Sequence, residues 1–226
     1  MIADNLRNIL ATLKPGVRLV AVSKFHPVSA LEEAYSAGQR VFGESHVQEM
    51  VAKQQAMPED IQWHFIGHLQ TNKVKYIAPF VSMIHAVDSV KLLLEIDKHA
   101  ARCGRVIDCL LQVHIAAEET KFGFTPDELR SMLRESSLSQ LSHIRIRGLM
   151  CMATNTDDQQ QIATEFCAVH DLFNEVKAEH FQGDAAFSEL SMGMSSDYLI
   201  AQQHGSTMVR VGSLIFGERV YGTMSQ

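Results

Sequence analysis

The sequence predicts a single-domain (β/α)8 barrel, with residues 1–226 as one unit and an N-terminal helix over 1–12 packed on it. Two observations carry this. Short apolar runs recur at 18–23, 40–45, 63–68, 83–88, 108–115, 146–153, 188–194 and 208–217, and most lack polar–apolar alternation. Parallel strands buried on both faces read this way. Helical patterns fill the gaps between the runs. Eight strands alternating with helices in 226 residues fit a closed barrel. The competing arrangement is a doubly wound open sheet. It usually needs fewer strands, and no Gly-x-Gly-x-x-Gly follows the first run.

The helices follow in order. Met1 to Thr12 places Ile2, Leu6, Ile9 and Leu10 on one face. Ser29 to Gly38 is bounded by a capping box of Ser29 and Glu32 and by the left-handed stop that Gly38 permits. Glu44 to Ala56, Leu69 to Ala78 and Val90 to Ala101 come next. Thr125 and Glu128 repeat the capping box, with Pro126 at the first helical position. Residues 157–180 carry Ile162, Phe166, Val169, Phe173 and Val176 at helical spacing. Ser196 to His204 is a shorter helix.

Composition narrows the function. Apolar residues make up 46% of the chain, enough for a large core, and the net charge of −6 disfavours nucleic acid or an anionic membrane as partner. No apolar run approaches a membrane span. The four cysteines, Cys103, Cys109, Cys151 and Cys167, form no C-x-x-C pair, and no signal peptide precedes them. They read as reduced core residues of a cytoplasmic protein. Trp63 and the methionines read as core. The histidines show no H-E-x-x-H. His64 and His68 are four apart in a strand, too far to share a metal, so no metal site is expected.

Barrel active sites lie at the C-terminal ends of the strands. Lys24 ends the first run, Glu44 and Ser45 the second, His68 the third and Asp88 the fourth, while Ser195 follows the seventh. A lysine at a strand end often just snorkels to water. In a barrel mouth it loses hydration instead, which favours the neutral amine that attacks aldehydes. At the other end of the chain, "SMGMSSD" (191–197) leaves a strand through a glycine and enters a helix with two serines. "VRVGS" (209–213) offers Gly212 and the hydroxyl of Ser213. Barrel phosphate sites are built from the loops after the last two strands. First and last strands are neighbours in a closed barrel, so the two signals point together to an aldehyde-bearing phosphate. Pyridoxal 5′-phosphate (PLP) fits both. Arg210, alternating with Val209 and Val211, reads either as an ion-paired structural residue or as an arginine facing the cofactor ring.

The motifs "AVSKFHP", "FGESHVQE", "WHFIGHLQTNKVKYI", "HAVDS", "RGLMCMA", "LSMGMSSDY" and "GSTMVRVGSLIFGER" resemble the PLP homeostasis protein family over residues 1 to 222. That family in turn resembles the N-terminal barrel domain of alanine racemase. The resemblance implies that Lys24 carries PLP as an internal aldimine and that Arg210 faces the pyridine nitrogen. It implies that Ser195, Gly212 and Ser213 hold the phosphate, with the N–H of Ser196. Three positions depart from the commoner pattern: Ser45 for asparagine, His26 for a second lysine, and Ala86 for serine. Lys121, on the loop after the fifth run, reads as a solvated lysine or as a second amine for PLP. Lys73 and Lys75 read as a solvated face rather than an anion site.

The expected function is to hold PLP and deliver it to PLP-dependent apo-enzymes, as a monomer or weak dimer and without catalytic residues. The alternative is a PLP-dependent amino-acid racemase or related enzyme. Racemases on this barrel add a C-terminal domain that brings a second base, and the chain stops at Gln226.

Overall fold

The structure, a computed structural model, describes residues 1–118, 122–135 and 138–217. Eight parallel strands close on themselves in chain order. They are β1 (Arg18–Val22), β2 (Val41–Glu44), β3 (Gln62–Phe65), β4 (Met83–Val87), β5 (Ile107–Val113), β6 (Ile144–Cys151), β7 (Glu189–Ser191) and β8 (Met208–Val211). Closure is made by β8 against β1, with Val20 opposite Arg210 and Ala21 opposite Val211. All eight expected runs are strands, although β3 stops three residues short of His68.

Helices fill the outside. They are α1 (Ile2–Thr12), α2 (Val28–Ser36), α3 (Val47–Ala56), α4 (Val74–Ile77), α5 (Val90–Arg102), α6 (Pro126–Glu135), α7 (Gln159–His180), α8 (Tyr198–Gln203) and α9 (Ser213–Phe216). Several differ from expectation for identifiable reasons. The Ser29/Glu32 box does not form, because Pro27 is the N-cap of α2 with φ −69° and Ser29 already lies inside the helix. Gly38 does end that helix, at φ +102°. The box at α6 is present, with the Thr125 N–H donating to Glu128 Oε2 at 2.8 Å and the Glu128 N–H to Thr125 Oγ1 at 3.3 Å. The helix expected from Glu44 starts at Val47, since Glu44 still belongs to β2. Leu69 to Ala78 is a 3₁₀ turn over Thr71–Lys73 followed by one α turn. The run at 208–217 changes from strand to helix at Ser213.

The long N-terminal helix buries Leu6 and Ile9, while Leu10 is 45% exposed and drops out of the expected face. Its first N–H groups are capped from α2, where Glu33 Oε1 accepts from Ile2 N at 2.9 Å. Asn5 donates to the Ile215 carbonyl at 3.0 Å, and Thr12 Oγ1 meets Tyr198 Oη at 3.0 Å. α1 is thereby tied to α2, α8 and α9 and lies on the barrel wall.

Two apolar cores result. The larger, between sheet and helices, takes Leu19, Ala21, Trp63, Phe65, Val209 and Val211. The smaller fills the barrel interior with Val20, Met83, Ala86, Leu110, Met150 and Met208. Inward and outward residues alternate along β1 and β8. The interior is narrow: a Cβ on Gly43 would come within 2.8 Å of Val20 Cγ1. On β4 the register shifts between Ile84 and Val87, where His85 and Ala86 lie. The N-terminal end of the barrel is closed by Glu189, which pairs with Arg18 at 2.6 Å and Arg147 at 3.4 Å. Trp63 is core, as expected, but Cys103 and Cys167 are exposed, at a helix end and on an outer helix face, and only Cys109 and Cys151 are buried.

Candidate cofactor site

Six residues singled out by the sequence line one cavity of about 290 Å³ at the C-terminal end of the barrel: Lys24, Ser195, Ser196, Arg210, Gly212 and Ser213. The strand that presents Lys24 continues its inward parity from Val20 and Val22. Ser23 still donates its N–H to the Gly43 carbonyl at 3.1 Å, and the chain then turns sharply, with His26 N–H returning to the Ser23 carbonyl at 3.1 Å. Pro27 starts the next helix at once. The abrupt end of "LVAVSKFHP" is therefore a tight turn that leaves Lys24 at the rim of the barrel interior.

The serine turn is built by Gly193, whose φ is +98°. A Cβ there would come within 2.6 Å of Ala201 Cβ, so glycine lets α8 lie against the end of β7. Asp197 closes the turn by accepting the Met194 N–H. Ser195 Oγ accepts the Gly212 N–H at 3.3 Å, which joins the two loops and leaves the Ser195 O–H to donate elsewhere. Gly212 is needed for a close approach between strands. A Cβ would meet the Val22 carbonyl at 2.9 Å, so this glycine lets the end of β8 rest on β1.

Arg210 is 4% exposed inside the barrel. It makes no ion pair among the described residues. Its Nη1 donates to the Ser191 carbonyl at 2.8 Å and to Ser191 Oγ at 2.7 Å, and Nη2 donates to the Cys151 carbonyl at 2.8 Å. Burial pulls its pKa below the usual arginine value, yet guanidinium stays charged at any working pH. The remaining walls are Val22, Ile66, Met152 and Met194, with His26 and Gly217 beside them. Two methionines read as core are thus cavity wall. No carboxylate lines the cavity among the described residues. Two cations, three hydroxyls and apolar walls suit an anion with a flat apolar body, and PLP fits that donor set.

Beneath Arg210 lies a polar column that the sequence did not reveal. Ser191 Oγ meets His85 Nδ1 at 3.0 Å, and His85 Nε2 meets His64 Nδ1 at 2.9 Å. Burial pushes His64 down to about 3 and His85 well below its ordinary value, with the positive field of Arg18 adding to both. With both pKa values pushed down by burial the neutral forms are favoured, and one ring nitrogen of the pair accepts from the N–H of the other. The available signal was a histidine inside the apolar run "MIHAV". His68 is engaged elsewhere, with Asp88 at 2.9 Å.

Other expected mouth residues do not reach the cavity. Ser45 lies in a separate cleft with His46, His68 and Lys73. Glu44 faces the helix layer, because its neighbour Gly43 takes the inward position. Burial pushes Glu44 up to about 7 against the pull of Lys53. His26 occupies the position of the missing second lysine and packs on Phe216 at 5.1 Å. Ala86 is buried in the barrel interior. Lys121 lies outside the described residues.

The family model described as the alanine racemase N-terminal domain matches residues 1–220 of this barrel. The curated relatives are narrower. The pyridoxal phosphate homeostasis protein of Aquifex aeolicus is 38% identical over 90% of this chain and 88% of its own length. That of Schizosaccharomyces pombe is 40% identical over 90% of this chain and 84% of its own. The chain belongs to the pyridoxal phosphate homeostasis protein family. Among solved structures, PipY of Synechococcus elongatus with PLP bound superimposes with a TM-score of 0.87 at 39% identity, covering 96% of this chain and all of that one. An alanine racemase of Clostridium difficile shares the fold alone, with a TM-score of 0.76 at 16% identity over 57% of its length.

The histidine pair sets an acid limit. Both folded-state pKa values lie below the unfolded value near 6.5, so below pH 6.5 the unfolded chain binds protons that the folded one excludes. The stability this pair permits is present above that pH and falls as pH drops toward about 3, by up to about 1.4 kcal/mol per pH unit for each histidine. Urea midpoints between pH 4 and 6 should fall less steeply with acid in His85→Gln than in wild type. Equal slopes would show that this pair does not set the limit.

Proposed function

We propose that this protein holds PLP in the β1–β7–β8 cavity, covalently through Lys24, and serves as a cellular carrier that releases it to PLP-dependent apo-enzymes. The observation that carries the reading is the meeting of an amine, a buried guanidinium and the serine turns on one cavity that no carboxylate lines among the described residues. Relatives named for PLP homeostasis, and a relative solved with PLP bound, support it. When bound, the cofactor supplies an aldehyde that bonds to an amine and a ring that can draw electrons from it.

The chain's residues divide the work. Lys24 supplies the amine from the end of β1. Ser195, with its oxygen already accepting from Gly212, directs its O–H outward, and Ser196 and Ser213 add donors for a phosphate. Arg210 would face the ring nitrogen. It can donate a hydrogen bond there but cannot accept a proton, so it would keep that nitrogen unprotonated and the ring a weak electron sink. This favours storage over turnover. The racemase alternative needs acid–base groups on opposite faces of a substrate carbon. No tyrosine among the described residues lines the cavity: Tyr198, nearest in sequence to the serine turn, is buried against Thr12, and Tyr221 lies outside the described residues. We propose action as a monomer or weak dimer in the cytoplasm. No helix among the described residues is long and apolar enough to cross a membrane.

Ser213→Asp would set a carboxylate beside a dianionic phosphate, and PLP affinity should fall at least about tenfold, since like charges in a partly desolvated site repel. Equilibrium dialysis with PLP checks this; unchanged affinity would move the phosphate site away from Ser213. PLP-loaded wild type should racemise L-alanine and other L-amino acids far more slowly than about one turnover per second, the low end of ordinary enzymes. Chiral analysis after long incubation is the assay, and turnover at that rate would make the protein an enzyme.

A further inference from the structure

Behind Lys24, on the helix side of the sheet, lies a buried charged cluster that plays no part in lining the cavity. Lys53 of α3 is 4% exposed. Its Nζ donates to the Ser23 carbonyl, to Glu44 Oε1 and to Glu49 Oε1, each at 2.7 Å. An ammonium has three protons, so these three acceptors use them all. Glu44 Oε1 also accepts the Ser23 hydroxyl at 2.7 Å. Glu49, one helical turn before Lys53, also accepts the Phe25 N–H on Oε1 at 2.6 Å.

The two residues held this way are the immediate neighbours of Lys24. Ser23 is gripped at its carbonyl and hydroxyl, and Phe25 at its N–H. Phe25 has φ +67° and is the one non-glycine residue with positive φ among those described. That conformation is disfavoured for an aromatic residue and persists only where surrounding contacts impose it. Contacts that help impose it include the Glu49 carboxylate and the His46 ring, 5.1 Å from the Phe25 ring. A relaxed Phe25 would rotate the peptide that carries Lys24 and swing its side chain off the inward line of Val20 and Val22.

We propose that Glu49 and Lys53 are positioning residues for Lys24, forming a charged clamp on the back of the β1 turn that holds its amine in the cavity. The i, i+4 spacing on α3 lets one ion pair reach both sides of Lys24. The cost of burying Lys53 is offset by three short hydrogen bonds from its ammonium, two of them to Glu44 and Glu49. The inference rests on the reading of Lys24 as the PLP-bearing lysine, and it deepens that reading by assigning how the lysine is presented.

The test compares wild type with Glu49→Ala, Glu49→Gln and Lys53→Met in two measurements. The first is amide hydrogen exchange at Phe25 in cofactor-free protein, with core amides of β5 as the check on folding. The second is the rate at which PLP becomes fixed to Lys24 by borohydride, read by peptide mapping. Glu49→Ala should speed Phe25 exchange and slow attachment, each at least tenfold, with β5 exchange unchanged. Glu49→Gln keeps an oxygen acceptor for the Phe25 N–H and should restore both to within about threefold of wild type. Lys53→Met should slow attachment at least tenfold, and it carries the test if Glu49→Ala does not fold. Wild-type exchange at Phe25 in Glu49→Ala, or wild-type attachment rates in Glu49→Ala or Lys53→Met, would overturn the clamp. If wild type itself fixes no PLP at Lys24, the functional reading fails and with it the clamp's role toward PLP. The exchange arm then still shows whether Glu49 holds the turn.

Discussion

Closure of the sheet between β8 and β1 is the constraint on which the rest depends. It sets Arg210 opposite Val20, so the first and last strands, almost two hundred residues apart in the chain, share one mouth. Lys24 then emerges four residues beyond Val20, above the guanidinium rather than beside it. Gly212 tightens the seam, since only a missing Cβ allows the end of β8 to touch the Val22 carbonyl. An open sheet of the same strands would leave the amine on one edge and the serine turns on the other.

A closed barrel of eight strands has a narrow interior, and this one fills it unevenly. Val20, Met83, Leu110, Met150 and Met208 form an apolar plug. Beside it runs the polar column from His64 through His85 and Ser191 to Arg210. Burying these groups is expensive unless each finds a partner, and here each one does. The column holds the guanidinium by two strand carbonyls and one hydroxyl. Arg210 can then remain charged at the cavity floor without a carboxylate, which keeps negative charge out of a site proposed to receive a phosphate.

The sequence disclosed the barrel because its strands are buried on both faces and read as short apolar runs. It disclosed the cavity residues because chemistry on a barrel collects at strand ends, where Lys24, Ser195 and Ser213 stand out. It misplaced Glu44, because one residue of register separates the cavity from the helix layer and Gly43 takes the inward place. It misread Ser29 and Glu32, whose spacing matches a capping box while Pro27 already fixes the helix start. The histidine column was invisible for another reason. His64, His85 and Ser191 lie on three strands, 21 and 106 residues apart, and only the closed topology brings them into hydrogen-bond contact. The same holds for the charged clamp, because Glu49 and Lys53 are an i, i+4 pair on one helix and only the fold brings them against Ser23, Phe25 and Glu44.

The proposed role of Lys24 as the residue that bears the cofactor is central. Its most direct measurement is made on the unaltered protein: saturation with PLP, reduction with borohydride, proteolysis and mass analysis of the modified peptide. One pyridoxyl group per chain is expected, on Lys24. Modification of another lysine in that amount with Lys24 intact would contradict it.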